Sequence, residues 1–172
     1  MIMAKDTQRA RNMTVTDKLT LGPNAVLRRR LKGNKGYDII RPLADNFLAI
    51  TTTHTVRPED NGMTFILNTA TAFVTTLPLP EAGLEFWFVI GATAPTTTHT
   101  IVTAGSANII QGNITSPEDA AGGVATVADA DTISFVASLA LHGDYAHVKC
   151  DGTDYYLDGM CKVQDGMTTT ST

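Results

Sequence analysis

The chain has 172 residues, 43% of them hydrophobic and only 17% charged, with a formal net charge of −4. This length suits one domain with a proper core and excludes two comfortable ones. Thr, Ala and Gly replace the charged residues of an average protein, and no apolar run reaches the roughly 18 residues of a membrane-spanning helix.

The net charge conceals a division along the chain. Residues 1–45 carry ten basic side chains against four acidic ones, a net +6, whereas residues 46–172 carry three against thirteen, a net −10. Two environments are implied rather than one uniform surface. Met1 to Arg11 has charges but no apolar stretch behind them, so it does not read as a secretory signal. Folding in a cytoplasm is expected.

Residues 1–20 show neither a helical nor a strand period and read as an extended arm. A short helix is expected near 24–32, with Asn24 as cap, Ala25, Val26, Leu27 and Leu31 as its apolar side, and Gly33 closing it. Gly33-Asn34-Lys35-Gly36 then breaks the chain, and Pro42 sets a further turn. The arm as a whole is assigned to residues 1–46.

From Phe47 the pattern changes to strands bounded by turn residues. Leu48 to Val56 and Met63 to Asn68 flank a turn cluster that ends in Asn61-Gly62. Phe73 to Leu77 stops at Pro78 and Pro80, which cannot donate to a ladder. Leu84 to Ile90 is apolar at nearly every position and reads as a central strand buried on both faces, Trp87 included. Further strands are expected at 99–103, 108–111, 124–127, 132–137, 144–150 and 153–160. The threonine content agrees, because a branched Cβ packs well on a pleated surface. The fold class is therefore all-β: a single sandwich or barrel-like domain of short antiparallel strands over 47–166, with an extended basic N-terminal arm and a flexible tail over 167–172.

Asp151-Gly152 suggests a two-residue turn that pairs Cys150 with Thr153, Val148 with Tyr155 and Ala146 with Leu157. Cys161 would then lie roughly 26 Å along the strand from Cys150, too far for a disulfide, which needs Cα atoms within about 7 Å. Both cysteines are expected to be free.

Catalytic chemistry finds no pattern. His54, His99, His142 and His147 are scattered, without metal-ligand spacing. The acidic clusters at Asp129/Asp131 and Asp151/Asp154/Asp158 lack a calcium-loop spacing. The serines lack a nucleophile elbow. No catalytic residue, metal or cofactor is expected, and an enzyme is not the reading.

The sharp feature is the run Arg28, Arg29, Arg30, Lys32, Lys35, followed by Arg41. Its interleaved Val26, Leu27, Leu31, Ile39 and Ile40 suit burial against a protein groove while the arginines pair with carboxylates. Nucleic acid fits less well, since Tyr37 is the arm's single aromatic residue for stacking.

Several segments resemble the structural proteins of tailed phages. These are Leu77-Pro78-Leu79-Pro80-Glu81-Ala82-Gly83-Leu84-Glu85-Phe86, Thr100 to Thr103, Ser106 to Gly112, Asp131 to Ala137 and Asp151 to Tyr156. The set, over about residues 60–160, resembles capsid decoration (cement) proteins. The resemblance implies a virion protein on the outer capsid surface, with the major capsid protein as partner and self-association, a trimer favoured. The arm lies outside the resemblance, so its role as anchor rests on charge. The alternative is a tail-fibre or receptor-binding subunit that recognises a host glycan.

Overall fold

The structure is a computed structural model that describes residues 27–30, 37–40, 46–117 and 123–172. The chain divides into two compact units, Met1–Arg41 and Pro42–Thr172. In the first, β1 (Leu27–Arg30) and β2 (Tyr37–Ile40) form an antiparallel hairpin, with Leu27 opposite Ile40 and Arg29 opposite Asp38. This corrects the helix expected near 24–32. Its nucleus would have been barely two turns, and such a nucleus is too short to hold without tertiary support. The extended conformation expected over 1–20 lies outside the described residues.

The second unit is all-β, as the strand pattern requires. Its first half coils between two sheets. The chain passes from β3 (Phe47–Ile50) to β4 (His54–Thr55), from β5 (Thr64–Leu67) to β6 (Val74–Thr76), and from β7 (Glu85–Ile90) to β8 (His99–Val102). β3, β5 and β7 lie parallel in one sheet, and β4, β6 and β8 lie parallel in the other. Asn61-Gly62 is therefore not a hairpin turn but a corner between sheets. There the Asn61 side chain donates to the Gly83 carbonyl (3.1 Å) and accepts from the Glu85 N–H (2.8 Å), tying one coil to the next.

The second half is mainly antiparallel: β9 (Ile110–Thr115), β10 (Val124–Ala130), β11 (Thr132–Phe135), β12 (Tyr145–Cys150), β13 (Tyr155–Met160) and β14 (Met167–Thr170). The finished sheets run β10-β9-β13-β12-β7-β5-β3 and β14-β11-β8-β6-β4. β13 and β9 are also parallel, so the uniformly antiparallel arrangement expected is corrected to mixed sheets. The two halves of the unit meet along one seam, β7 against β12 and β8 against β11.

Period-2 alternation sends Phe65, Leu67, Phe86, Phe88, Ile101, Ile133, Phe135, Val148 and Tyr155 into a single core between the sheets. Phe65 stacks on Phe88 with ring centroids 5.3 Å apart. The Tyr155 hydroxyl donates to the Pro78 carbonyl (3.1 Å), and burial pushes its pKa upward. Removing water from large apolar side chains is the main favourable term of such a fold.

Three further expectations change. The β12–β13 hairpin pairs Cys150 with Tyr155, Val148 with Leu157 and Ala146 with Gly159. The Asp151 carboxylate accepts from the backbone N–H groups of Thr153 (2.8 Å) and Asp154 (3.0 Å), which closes a four-residue loop instead of a two-residue turn. Residues 167–172 are not a loose tail. β14 pairs with β11, Met167 is buried, and the Thr172 hydroxyl donates to the Asp131 carboxylate. Leu84 to Ile90 is buried on one face only, since Glu85, Trp87 and Val89 lie on the outer face and are partly exposed.

Cys150 and Cys161 are free and buried, and burial pushes the Cys161 thiol up. Unfolded, unreduced protein is expected to titrate two thiols per chain, while the native protein reacts slowly. Finding no reactive thiol after unfolding would contradict the hairpin.

His99 is fully buried, and its ring is 2.9 Å from the Thr69 carbonyl through Nε2, while Nδ1 has no partner. The acceptor at Nε2 requires a proton there in either charge state; burial, with no partner at Nδ1, disfavours the second proton and holds the pKa below the ordinary 6.5. The unfolded chain then binds a proton that the native state refuses. Stability is expected to be at its full value above pH 6.5 and to fall as the pH drops from there through the lowered folded value. Thermal unfolding of His99→Gln against wild type between pH 7 and 5 checks this, and an unchanged slope would contradict it.

Candidate functional site

The arm comes first, because charge singles it out. β1 carries Leu27, Arg28, Arg29 and Arg30, and β2 carries Ile39 and Ile40. The hairpin register sets Arg28 opposite Ile39 and Arg30 opposite Tyr37. Val26, Leu31, Lys32, Lys35 and Arg41 lie outside the described residues. The hairpin thus brings six of the eleven expected contact residues into one four-pair ladder.

The two outer sheet faces differ sharply. On the five-stranded sheet, cross-strand registers align Thr55, Thr76, Val102, Thr132 and Thr170 in one row, and Val74, Thr100, Ser134 and Thr168 in the next. This face is neutral and largely hydroxyl-covered, an ordinary solvated surface.

On the seven-stranded sheet one outer row is mainly apolar and the next is mixed. One runs Ala49, Ile66, Val89, Tyr145, Met160, Thr115 and Val124 across all seven strands. Its neighbour runs Phe47, Thr64, Trp87, His147, Asp158, Asn113 and Thr126. Phe47 is 65% exposed and Val124 57% exposed, at opposite edges of the sheet. The apolar and aromatic side chains gather over β3, β5, β7 and β12, while exposed Asp158, Asn113, Thr115 and Thr126 make the β13, β9 and β10 side largely polar.

Trp87 is the centre of the patch. Its indole stacks on His147 at 3.9 Å, nearly parallel, and meets Tyr145 tilted at 5.3 Å. His147 Nε2 is 2.8 Å from Glu85, and Lys149 is 3.7 Å from the same carboxylate. The Glu85–Lys149 pair is exposed and adds little stability; its effect is to neutralise the edge of the aromatic patch. Sequence reasoning missed this face because it took Trp87 as core. The available signal was the alternation Glu85-x-Trp87-x-Val89 against Phe86-x-Phe88-x-Ile90.

A shallow open cleft of about 400 Å³ is lined by Leu48, Thr53, His54, Thr55, Arg57 and Asp60. His54 packs on Phe65 at 5.4 Å, and Asp60 accepts from the Arg57 N–H at 2.9 Å. Asp60 is thereby spent on its own turn. Among the described residues no group of three or more His, Cys, Asp or Glu is placed to hold a metal ion. The acid at Asp151 serves its loop and accepts from the Tyr156 hydroxyl (2.9 Å), contacts that hold its carboxyl below the usual range.

Comparison with protein-family models, curated proteins and solved structures returns no match to the chain.

Proposed function

We propose that the protein is a non-enzymatic structural component of a virus particle: a capsid decoration protein of the tailed-phage type. It binds the outer surface of the assembled shell, with the basic arm as anchor and the major capsid protein as partner. The observation that carries this reading is the division of the chain into a basic arm and an acidic all-β unit with an apolar outer face. A ligand that binds only the assembled shell stabilises it by mass action. An arm spreads contacts over a large area, offset by the entropy of ordering it.

The test is incubation of the full chain with undecorated shells. The protein is expected to sediment with them to saturation and to raise the temperature at which they disrupt. Protein that stays in the supernatant at all concentrations would overturn the reading. Trp87 and Tyr145 on an outer face favour a second reading, a receptor-binding subunit, because such rings present an apolar body with a polar tip to a ligand. Binding on a glycan array without binding to shells would select it.

A further inference from the structure

We infer that Asn61 is a self-modifying position: in the unfolded chain its side chain closes on the Gly62 backbone and loses ammonia, whereas the native corner suppresses that reaction. The change is one-way, because a modified chain cannot rebuild the corner as it was. Neither the arm nor a shell is involved.

The chemistry begins in the sequence. Asn61 alone among the eight asparagines precedes a glycine, and a residue without Cβ leaves its backbone nitrogen unshielded and its dihedrals free. That nitrogen attacks Asn61 Cγ. An N–Cγ bond forms, the Cγ–Nδ2 bond breaks, and the departing nitrogen takes the Gly62 amide proton and leaves as ammonia. Water then adds to either carbonyl of the five-membered ring. Opening at Cγ gives aspartate, and opening at the main-chain carbonyl gives an isoaspartyl linkage with one extra backbone carbon. One water is consumed and one ammonia released, with no oxidant or reductant.

In the folded protein both reacting groups are held elsewhere. The Gly62 N–H donates to the Glu85 carbonyl at 2.8 Å. Asn61 Nδ2 donates to the Gly83 carbonyl at 3.1 Å, and Oδ1 accepts from the Glu85 N–H at 2.8 Å. Ring closure has to swing the amide onto Gly62 and free the Gly62 nitrogen, which breaks these three bonds together. Each is worth roughly two- to tenfold in an equilibrium. Glu85 cannot follow the amide, because it opens β7, a strand paired with both β5 and β12. Asn61 and Gly62 are exposed, so water reaches them and the contacts, rather than burial, give the protection.

The product does not fit the corner. Deamidation replaces the Nδ2 donor by a carboxylate oxygen, and two acceptors then face each other where the bond to Gly83 stood. The new charge adds to a unit that already carries a net −10 over residues 46–172, beside Glu59 and Asp60. In the isoaspartyl form the extra carbon also displaces Gly62, whose φ of +81 and bond to Glu85 belong to the corner.

The test incubates full-length wild type at neutral pH and one temperature, native in one arm and unfolded in urea in the other. Peptide mass spectrometry reads the exchange of amide for carboxylate at Asn61, and enzymatic methylation reads isoaspartate. Conversion is expected to be at least tenfold faster in the unfolded arm. The three Asp-Gly pairs, at Asp151, Asp158 and Asp165, lose water instead of ammonia and leave the mass unchanged, so the mass gain is specific to asparagine. When urea is diluted from a partly converted sample, the refolded fraction is expected to be depleted in converted chains. Asn61→Asp supplies one product directly and is expected to unfold at lower urea than wild type. Equal rates in the two arms, or no conversion at Asn61 in urea, overturn the inference. So does a refolded fraction as rich in converted chains as the starting sample, a readout that stands even if Asn61→Asp does not fold.

Discussion

Gly112→Ala is expected to leave the protein unfolded or destabilised by about 4 kcal/mol or more, a range reached by a short list of defects that includes steric overlap in the interior. Gly112 sits inside β9 at φ +139, and a Cβ there would lie 2.0 Å from the Leu157 carbonyl oxygen. The neighbour is backbone, so no rotamer change relieves the clash. β13 cannot withdraw, because its other edge is paired with β12, and β9 is paired on its far side with β10. A glycine inside a strand often marks such a close approach of backbones. Gly83→Ala is the matched comparison. Gly83 has φ +90 but open space where its Cβ would be, so only the left-handed conformation is penalised, about 1–2 kcal/mol. Urea unfolding of both variants by circular dichroism separates the two effects. Equal midpoints would contradict the β9–β13 pairing.

Removal of residues 1–45 is expected to abolish attachment to shells while leaving a folded, strand-rich domain. The core begins with the strands from Phe47 onward, and Pro42–Thr172 forms its own compact unit. Replacing Arg28, Arg29 and Arg30 together by Ala is expected to weaken attachment without unfolding the domain. Rising salt weakens it partly, since the Debye length is about 8 Å at physiological strength and buried pairs are screened less. Residual binding comes from Val26, Leu27, Leu31, Ile39 and Ile40. Co-sedimentation with undecorated shells measures all of these. A truncated domain that binds as well as the full chain shows that the arm is not the anchor.

Strand positions were legible because alternation and turn residues are local signals. Phe73 to Leu77, Leu84 to Ile90 and 144–150 each fall on an observed strand to within a few residues. Pairing partners were not legible to the same depth. Whether β5 follows β3 parallel or antiparallel depends on β4 crossing to the other sheet, and two residues, His54 and Thr55, carry that crossing. In the β12–β13 hairpin alternation determined the face, and the two-residue slip preserved it. The register itself came from the Asp151 carboxylate, which no hydrophobic pattern encodes. Leu27–Arg30 and Met167–Thr170 were misread for one reason: a four-residue segment is too short to distinguish a period of 2 from 3.6 or from none. Of the candidate site, the arm was singled out by charge alone. The apolar outer face was not, because it appears only once seven strands are in register.

The seam between the coiled and antiparallel halves bears on how fast the molecule assembles. Pairings among β3, β5 and β7 join neighbouring coils and close short loops. The seam instead joins Phe88 to Ala146 and Ile101 to Ile133, positions far apart in the chain. Loop-closure entropy must be met before those contacts give anything back. The coils can therefore zip early, but the time to the native state is governed by when β12 finds β7. Until it does, the open edge of β7 is a template for a strand from any neighbouring chain. Trp87, on that edge, would report the closing step as a late change in its fluorescence during refolding.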